Sequence, residues 1–325
     1  MHILVTGGAG RVGRRLIPQL LAHGDSVACL DLTPLQLEHP ALSQVTGAFD
    51  DEAAVARAMT GAEAVVHIGA YMSWIAADVP KLYAANVTGT WTVLRAAAAA
   101  KVRRFVFASS GEVYPETRPK LQPITEDHPT EPTSAYGITK LLGEGMVAFF
   151  ARSTGMETVV LRFSHTQDAD ELLDPESFFS GPRFYLRARI RQQEAFGNTA
   201  VVETLRPHDD GREKLLISRG RDGTVFRMPI TDTRDIVAGL VAALDSPAAV
   251  GRTLNLGTQE SIAFDAAVSH LHRATGLPVV DVTLPIPAVD YTTSRKAAID
   301  LLGVAPAWTF GAMVEDALRR RGGTA

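Results

Sequence analysis

The chain has 325 residues, 46% of them hydrophobic, a formal charge of −4 and a single cysteine. That length holds one large domain or two that share a core, and no stretch approaches the roughly 20 apolar residues of a membrane span. The slightly acidic, dispersed charge excludes a general nucleic-acid binder. The lone Cys29 excludes an internal disulfide and fits a reducing compartment.

The first apolar run, residues 1–5, stops at Thr6-Gly7-Gly8-Ala9-Gly10, and an amphipathic pattern starts near Gly13. Met1 leads into this run with no charged leader, so a cytoplasmic location is expected. Strand, tight turn and helix start in that order make a phosphate cradle. Gly7 supplies backbone angles closed to other residues, Gly10 leaves room for a pyrophosphate, and Gly13 lets helix pack on strand. Arg11 and Val12 belong to the same turn. A second run, residues 26–30, ends at Asp31, where a carboxylate accepts hydrogen bonds from an adenosine ribose. Asp31 repels a 2′-phosphate and Leu32 offers it no charge, so NAD is expected rather than NADP.

Beyond Asp31, helix is expected over 51–59 and 82–100, and strand over 64–70 and 104–110. Another helix runs past Tyr136 to about residue 152, followed by a strand over 158–162. This alternation predicts an α/β, doubly wound parallel sheet with helices on both faces. The pattern then breaks. Residues 164–182 carry five acids and no base, and residues 183–227 carry ten Lys and Arg against six acids. A loop-rich inserted lobe is expected there, with a return to the sheet over 235–244 and 253–257. The expected division is a nucleotide-binding domain, 1–163 with 232–258, and a smaller C-terminal α/β substrate lobe, 164–231 with 259–325.

Tyr136 and Lys140 lie four apart, hence on one helix face. A lysine ammonium beside a phenol, helped by an oxidised nicotinamide, stabilises the phenolate and makes tyrosine usable as a base. Lys140 is also placed to hold the nicotinamide ribose.

Taken together, the glycine turn, Asp31, His67-Ile68-Gly69-Ala70, Asn86-Val87-Thr88-Gly89-Thr90, Ser109-Ser110 and the Tyr136/Lys140 pair resemble the extended short-chain dehydrogenase/reductase superfamily, in its nucleotide-sugar epimerase/dehydratase branch. The resemblance spans almost the whole chain and implies a Rossmann fold that binds NAD. By it, Ser110 hydrogen-bonds the reacting oxygen, Tyr136 is the acid/base and Lys140 its activator. Gly7, Gly10 and Gly13 hold the pyrophosphate, Asp31 the ribose, and Asp50 lies near the adenine. Ile68, Gly69 and Ala70 line the cofactor, and Asn86 braces the strand ends or caps a helix. No metal is implied. The family's dimer is a four-helix bundle, here formed by the helices around 90–100 and 136–150.

The implied reaction is epimerisation of a nucleotide-activated sugar: a hydroxyl is oxidised transiently to a ketone, which turns over and is reduced from its other face. Ser110-Gly111-Glu112 lacks the aspartate of the 4,6-dehydratases, while Ser-x-Glu also occurs in UDP-glucuronate decarboxylases. Glu112 is therefore either a site carboxylate or a structural acceptor. Ser164-His165-Thr166-Gln167 replaces the family's Asn and Gly, which leaves open a net dehydrogenase of a sugar acid or other small polyol. A non-catalytic NAD sensor is disfavoured by the intact Tyr136/Lys140 pair. On the substrate side, His165 either faces the ligand or is structural, and Trp74 either stacks on a sugar or fills the lobe interface. Arg183, Arg187 and Arg191 recur every four residues, as a basic site face or a solvated one. Arg227 is expected to meet a diphosphate through its bidentate fork.

Overall fold

The computed structural model describes residues 1–258 and 260–322. Its sheet is built from β1 (His2–Thr6), β2 (Ser26–Asp31), β3 (Leu42–Thr46), β4 (Ala64–His67), β5 (Arg104–Ser110) and β6 (Glu157–Phe163), with the late strand β10 (Arg252–Leu256). The seven strands lie in the order β10-β6-β5-β4-β1-β2-β3, and every pairing is parallel. Both faces are covered, so the central strands are apolar on both sides. Ile3 and Val5 feed one core while Leu4 feeds the other.

One face carries α1 (Gly13–Ala22), α9 (Thr233–Asp245) and α11 (Lys296–Leu302), which pack through residues such as Leu16, Leu240 and Leu302. The other carries α2 (Glu52–Ala58), α4 (Thr90–Ala99) and α5 (Ala135–Thr154), through Val55, Val93 and Val147. The helix expected over 82–100 is in fact three pieces: α3 (Val79–Tyr83), a wide π-type turn over Ala84–Gly89, and α4. Strand β3 went unforeseen because this edge strand is half exposed and its Ser43 and Gln44 break the apolar signal.

A third core belongs to a lobe built from β7 (His165–Gln167), α6 (Ser180–Phe184), α7 (Leu186–Ala195), α8 (Thr199–Leu205), β8 (Leu215–Arg219), β9 (Arg227–Asp232), β11 (Ser261–Ala263), α10 (Phe264–Thr275), β12 (Val279–Thr283) and α12 (Phe310–Gly322). Its strands form two small sheets, β11-β9-β7 and β12-β8. The lobe is more helical than loop-rich. α11, assigned to it from sequence, instead places Ala298 and Leu302 in the sheet's core. Two acids of the block 164–182 pair back to α1 and its turn: Asp168 meets Arg15 at 2.5 Å and Arg14 at 3.4 Å, and Glu171 meets Arg11 at 2.8 Å. Among the described residues no helix is long and apolar enough to cross a membrane, and no group of three or more His, Cys, Asp and Glu is placed to hold a metal.

Candidate functional site

A cavity of about 710 Å³ opens along the C-terminal ends of the parallel strands, between β1 and β4 and the lobe. In an open α/β sheet this is where a ligand sits. Its floor is the turn after β1. Gly7 stands at φ +72°, and a Cβ there would lie 2.4 Å from Cα of Gly69. A Cβ on Gly13 would meet Cα of Gly8 at the same 2.4 Å. Glycine at both positions lets β1, α1 and the loop after β4 close into a cradle that any side chain would fill. The start of α1, with Gly10, Arg11 and Val12, lines the cavity, so its dipole favours a negative group there.

Asp31 lines the far end of the cavity. Its carboxylate accepts from the Ala9 amide at 3.0 Å and the Thr33 amide at 3.3 Å, which fixes its direction. Arg15 and, more loosely, Arg14 pair with Asp168, and Arg11 pairs with Glu171, so each guanidinium at the start of α1 already has a carboxylate partner. Asp50, Ile68, Gly69 and Ala70 complete this half. Asn86 does not line the cavity and does not cap a helix. It sits in the π-type turn, where its amide exchanges hydrogen bonds with the Tyr71 backbone, both at 2.8 Å, and donates to Thr139 Oγ1 at 3.0 Å. It thus ties the loop after β4 to α5.

Ser110 ends β5, and Tyr136 and Lys140 project from the first turns of α5, where Ser134 caps the helix by accepting from the Gly137 amide at 2.9 Å. All three line the cavity. Lys140 Nζ donates to the Ala108 carbonyl at 2.8 Å and lies 5.8 Å from the centre of the Tyr136 ring. Burial pushes this ammonium down to about 8, against the opposing charge of Glu144. The lowering expected for the Tyr136 phenol calls on an oxidised nicotinamide as well as Lys140; the protein's own groups act the other way. Burial and the Glu112 carboxylate hold it above its ordinary value, and a hydrogen bond with Ser110 opposes them.

A second cavity of about 440 Å³ continues into the lobe, and Glu112, Glu116, His165 and Phe179 line both. Glu112 Oε2 accepts from Ser134 Oγ at 2.5 Å and from Trp74 Nε1 at 3.1 Å. Burial raises its carboxyl, with Ser134, Trp74 and Arg183 opposing. Trp74 stacks on Phe178 with ring centres 5.8 Å apart, and lines this second cavity. Four residues here escaped the sequence reading. Glu116 carries no local signature, Arg189 sits off the four-residue repeat, and the Phe178-Phe179 pair lay inside the acidic block. That aromatic pair was the one signal available.

The basic repeat is not one face. Tyr185, at φ −119° and ψ 127°, separates α6 from α7. Arg183 turns inward onto His165, while Arg187 meets Asp209 at 3.6 Å and Arg191 meets Glu176 at 2.6 Å on the surface. Arg227 lines neither cavity. It is 44% exposed and spends its charge on Asp290 at 2.7 Å.

The model of the NAD dependent epimerase/dehydratase family matches residues 3–257. A UDP-glucose 4-epimerase of Corynebacterium glutamicum is 31% identical over 332 aligned residues, covering 98% of this chain and 94% of that protein. A short-chain dehydrogenase/reductase superfamily protein from Agrobacterium tumefaciens, solved with bound NAD, is 51% identical with a TM-score of 0.94, covering 99% of this chain and 98% of that one. A UDP-glucose 4-epimerase of Thermotoga maritima solved with UDP-glucose shares the fold at 22% identity, with a TM-score of 0.79 and coverage of 100% and 99%. The cradle closed by Gly7, Gly13 and Gly69 and the directed Asp31 fit the dinucleotide that such proteins carry. This chain is therefore an NAD-dependent enzyme of the extended short-chain dehydrogenase/reductase superfamily and belongs to its NAD dependent epimerase/dehydratase family.

Proposed function

We propose that the enzyme is an epimerase that inverts a hydroxyl-bearing carbon of a nucleotide-activated sugar through a transient ketone. The observation that carries this reading is the placing of Tyr136 and Ser110 in the cofactor cavity where Glu112 opens into the second, aromatic-walled one. A sugar whose reacting carbon lies at that mouth has its remainder in the lobe. When bound, NAD supplies the hydride acceptor and donor. Gly7, Gly10, Gly13, Arg11 and Val12 would hold its pyrophosphate side, Asp31 its ribose, and Asp50, Ile68, Gly69 and Ala70 the adenosine side, with Asn86 holding the loop that carries them.

Tyr136 moves the hydroxyl proton. As the phenolate, with Lys140's positive charge close to its ring, it takes that proton when the carbon is oxidised, and it gives the same proton back to the keto oxygen on reduction. Ser110 shares the reacting oxygen. Trp74 supplies an apolar wall for the ring, and Glu112 and His165 face it. Arg189, whose Nε is buried without a hydrogen-bond partner among the described residues, lines the second cavity and takes the anion-binding place first assigned to Arg227. The stacked Trp91 and Phe149, 42% and 48% exposed and 6.0 Å apart, present α4 and α5 for a helix-on-helix homodimer. A light-scattering mass of one chain would refute that assembly.

The test is a panel of UDP-, GDP- and dTDP-sugars and free sugar acids followed together by NMR and by absorbance at about 340 nm. An epimerase converts a nucleotide sugar with no net NADH. Net NADH from free acids, with no conversion of nucleotide sugars, overturns the reading in favour of a dehydrogenase.

Lys140 gives a pH prediction. Its ammonium is lost as pH rises through about 8, and Glu144 is the charge that sustains it. Glu144→Gln removes that support, lowers the lysine's pKa further and moves the alkaline limb of kcat/KM to lower pH, by about one unit. The same change costs stability, because Arg162 Nη2 loses its partner at 2.7 Å, so the limb is read well below the variant's Tm. An unmoved limb removes Lys140's charge from the account.

A further inference from the structure

The junction of the two cavities holds hydrogen-bond donors that nothing among the described residues answers. Arg183 donates from Nη2 to His165 Nδ1 at 2.8 Å, while its Nη1 is buried with no hydrogen-bond partner and no carboxylate pairs with it among the described residues. Its guanidinium lies over the Phe179 ring, 5.0 Å from the centre, which fixes the plane of the fork. A guanidinium has no lone pair to offer, so His165 Nδ1 must accept, and the proton of the neutral ring stands on Nε2. Burial and the Arg183 charge hold the imidazole neutral, well below its ordinary pKa. Nε2 points toward Glu116, 3.7 Å from Oε2.

Glu116 does not answer the arginine as an ordinary carboxylate. Burial and the neighbouring Glu112 push its carboxyl up to about 8, so at neutral pH it carries a proton and is itself a donor. Tyr291 lays its buried hydroxyl beside it. The cluster is thus a positive, planar fork beside a neutral imidazole and a protonated carboxyl, with the Glu112 charge acting on it but not paired to it. A buried guanidinium with no carboxylate paired to it is costly, and the cost is offset when a ligand brings that anion.

We infer that Arg183 and His165, with Glu116, form a subsite for a carboxylate on the sugar ring, so that the substrate unit is a hexuronate rather than a neutral hexose. The planar fork matches a carboxylate in two-point contact. His165 and Glu116 line both cavities and Arg183 lines the second beside them, so the anion sits next to the reacting ring rather than at the far, nucleotide end. This rests on the epimerase reading only for the nucleotide handle; the subsite itself rests on the cluster.

The experiment is calorimetric titration of the NAD-loaded protein with UDP-glucuronate, UDP-glucose and free glucuronate. The uronate nucleotide is expected to bind about 10- to 100-fold more tightly than UDP-glucose, as one charge-assisted hydrogen-bonded contact supplies. Arg183→Gln should erase that ratio and leave UDP-glucose affinity within about threefold, and Arg183→Lys, which keeps charge but not the fork, should fall between. Equal affinities in the unaltered enzyme, or an Arg183→Gln loss shared equally by both ligands, overturn the inference, the second outcome assigning Arg183 to the diphosphate. Binding of free glucuronate that depends on Arg183, with neither UDP-sugar bound, keeps the carboxylate subsite and overturns the nucleotide-sugar reading. If Arg183→Gln does not fold, the wild-type affinity ratio alone decides.

Discussion

Tyr136→Phe is expected to lower turnover about 10²–10⁴-fold, the range one positioned proton donor supplies, with bound NAD and thermal stability nearly unchanged. The hydroxyl's hydrogen bond is with Ser110, and the ring packs between Lys140 and Trp74 without needing the oxygen. The variant therefore removes the proton carrier and leaves the walls standing. Ser110→Ala should lose less, because it deletes a hydrogen bond to the same oxygen and not the proton that moves. Activity above about a tenth of wild type in Tyr136→Phe, with normal NAD content, means another group transfers the proton, and Glu112 is the one placed to do it.

Gly7→Val should be as severe for a different reason. The left-handed φ of +72° costs an L-residue about 1–2 kcal/mol, and driving a side chain onto Gly69 Cα, 2.4 Å from the new Cβ, costs a further 1–3 kcal/mol or so. The backbone that must yield is the cofactor cradle itself, so NAD affinity should fall at least about tenfold alongside a Tm drop of several degrees. Gly24→Ala separates the two effects. Gly24 stands at φ +93° with nothing within 4 Å of the added Cβ, so it carries the backbone strain alone and should leave NAD binding intact. Equal NAD affinities in both variants would show that the cradle does not depend on the close approach of these loops.

Much of this architecture was legible because its causes are local. The apolar runs of β1, β2, β4, β5 and β6, buried on both faces, announce themselves without reference to partners. The glycine turn and the four-residue spacing of Tyr136 and Lys140 depend only on neighbours along the chain. What stayed hidden was set by distant partners. The burial of Glu116 is made by His165, Arg183 and Tyr291, which approach it from three separate segments. Arg227 looked like a phosphate ligand until Asp290, sixty-three positions on, claimed it. Arg183, Arg187 and Arg191 kept helical spacing on paper, but one extended residue, Tyr185, turned the first away from the other two. Asn86 was recognised as a brace, but the π-type turn that aims its amide at Tyr71 and Thr139 leaves no periodic trace strong enough to read.

The claim on which the rest depends is that the crease over β1 and β4 holds NAD, not NADP, beneath Tyr136 and Lys140. Acid release of nucleotide from protein purified without added cofactor, followed by mass spectrometry, addresses it directly. About one NAD or NADH per folded chain is the predicted result. NADP in its place would contradict the role given to Asp31, and protein that carries no nucleotide and fails to bind added NAD would contradict the cradle itself.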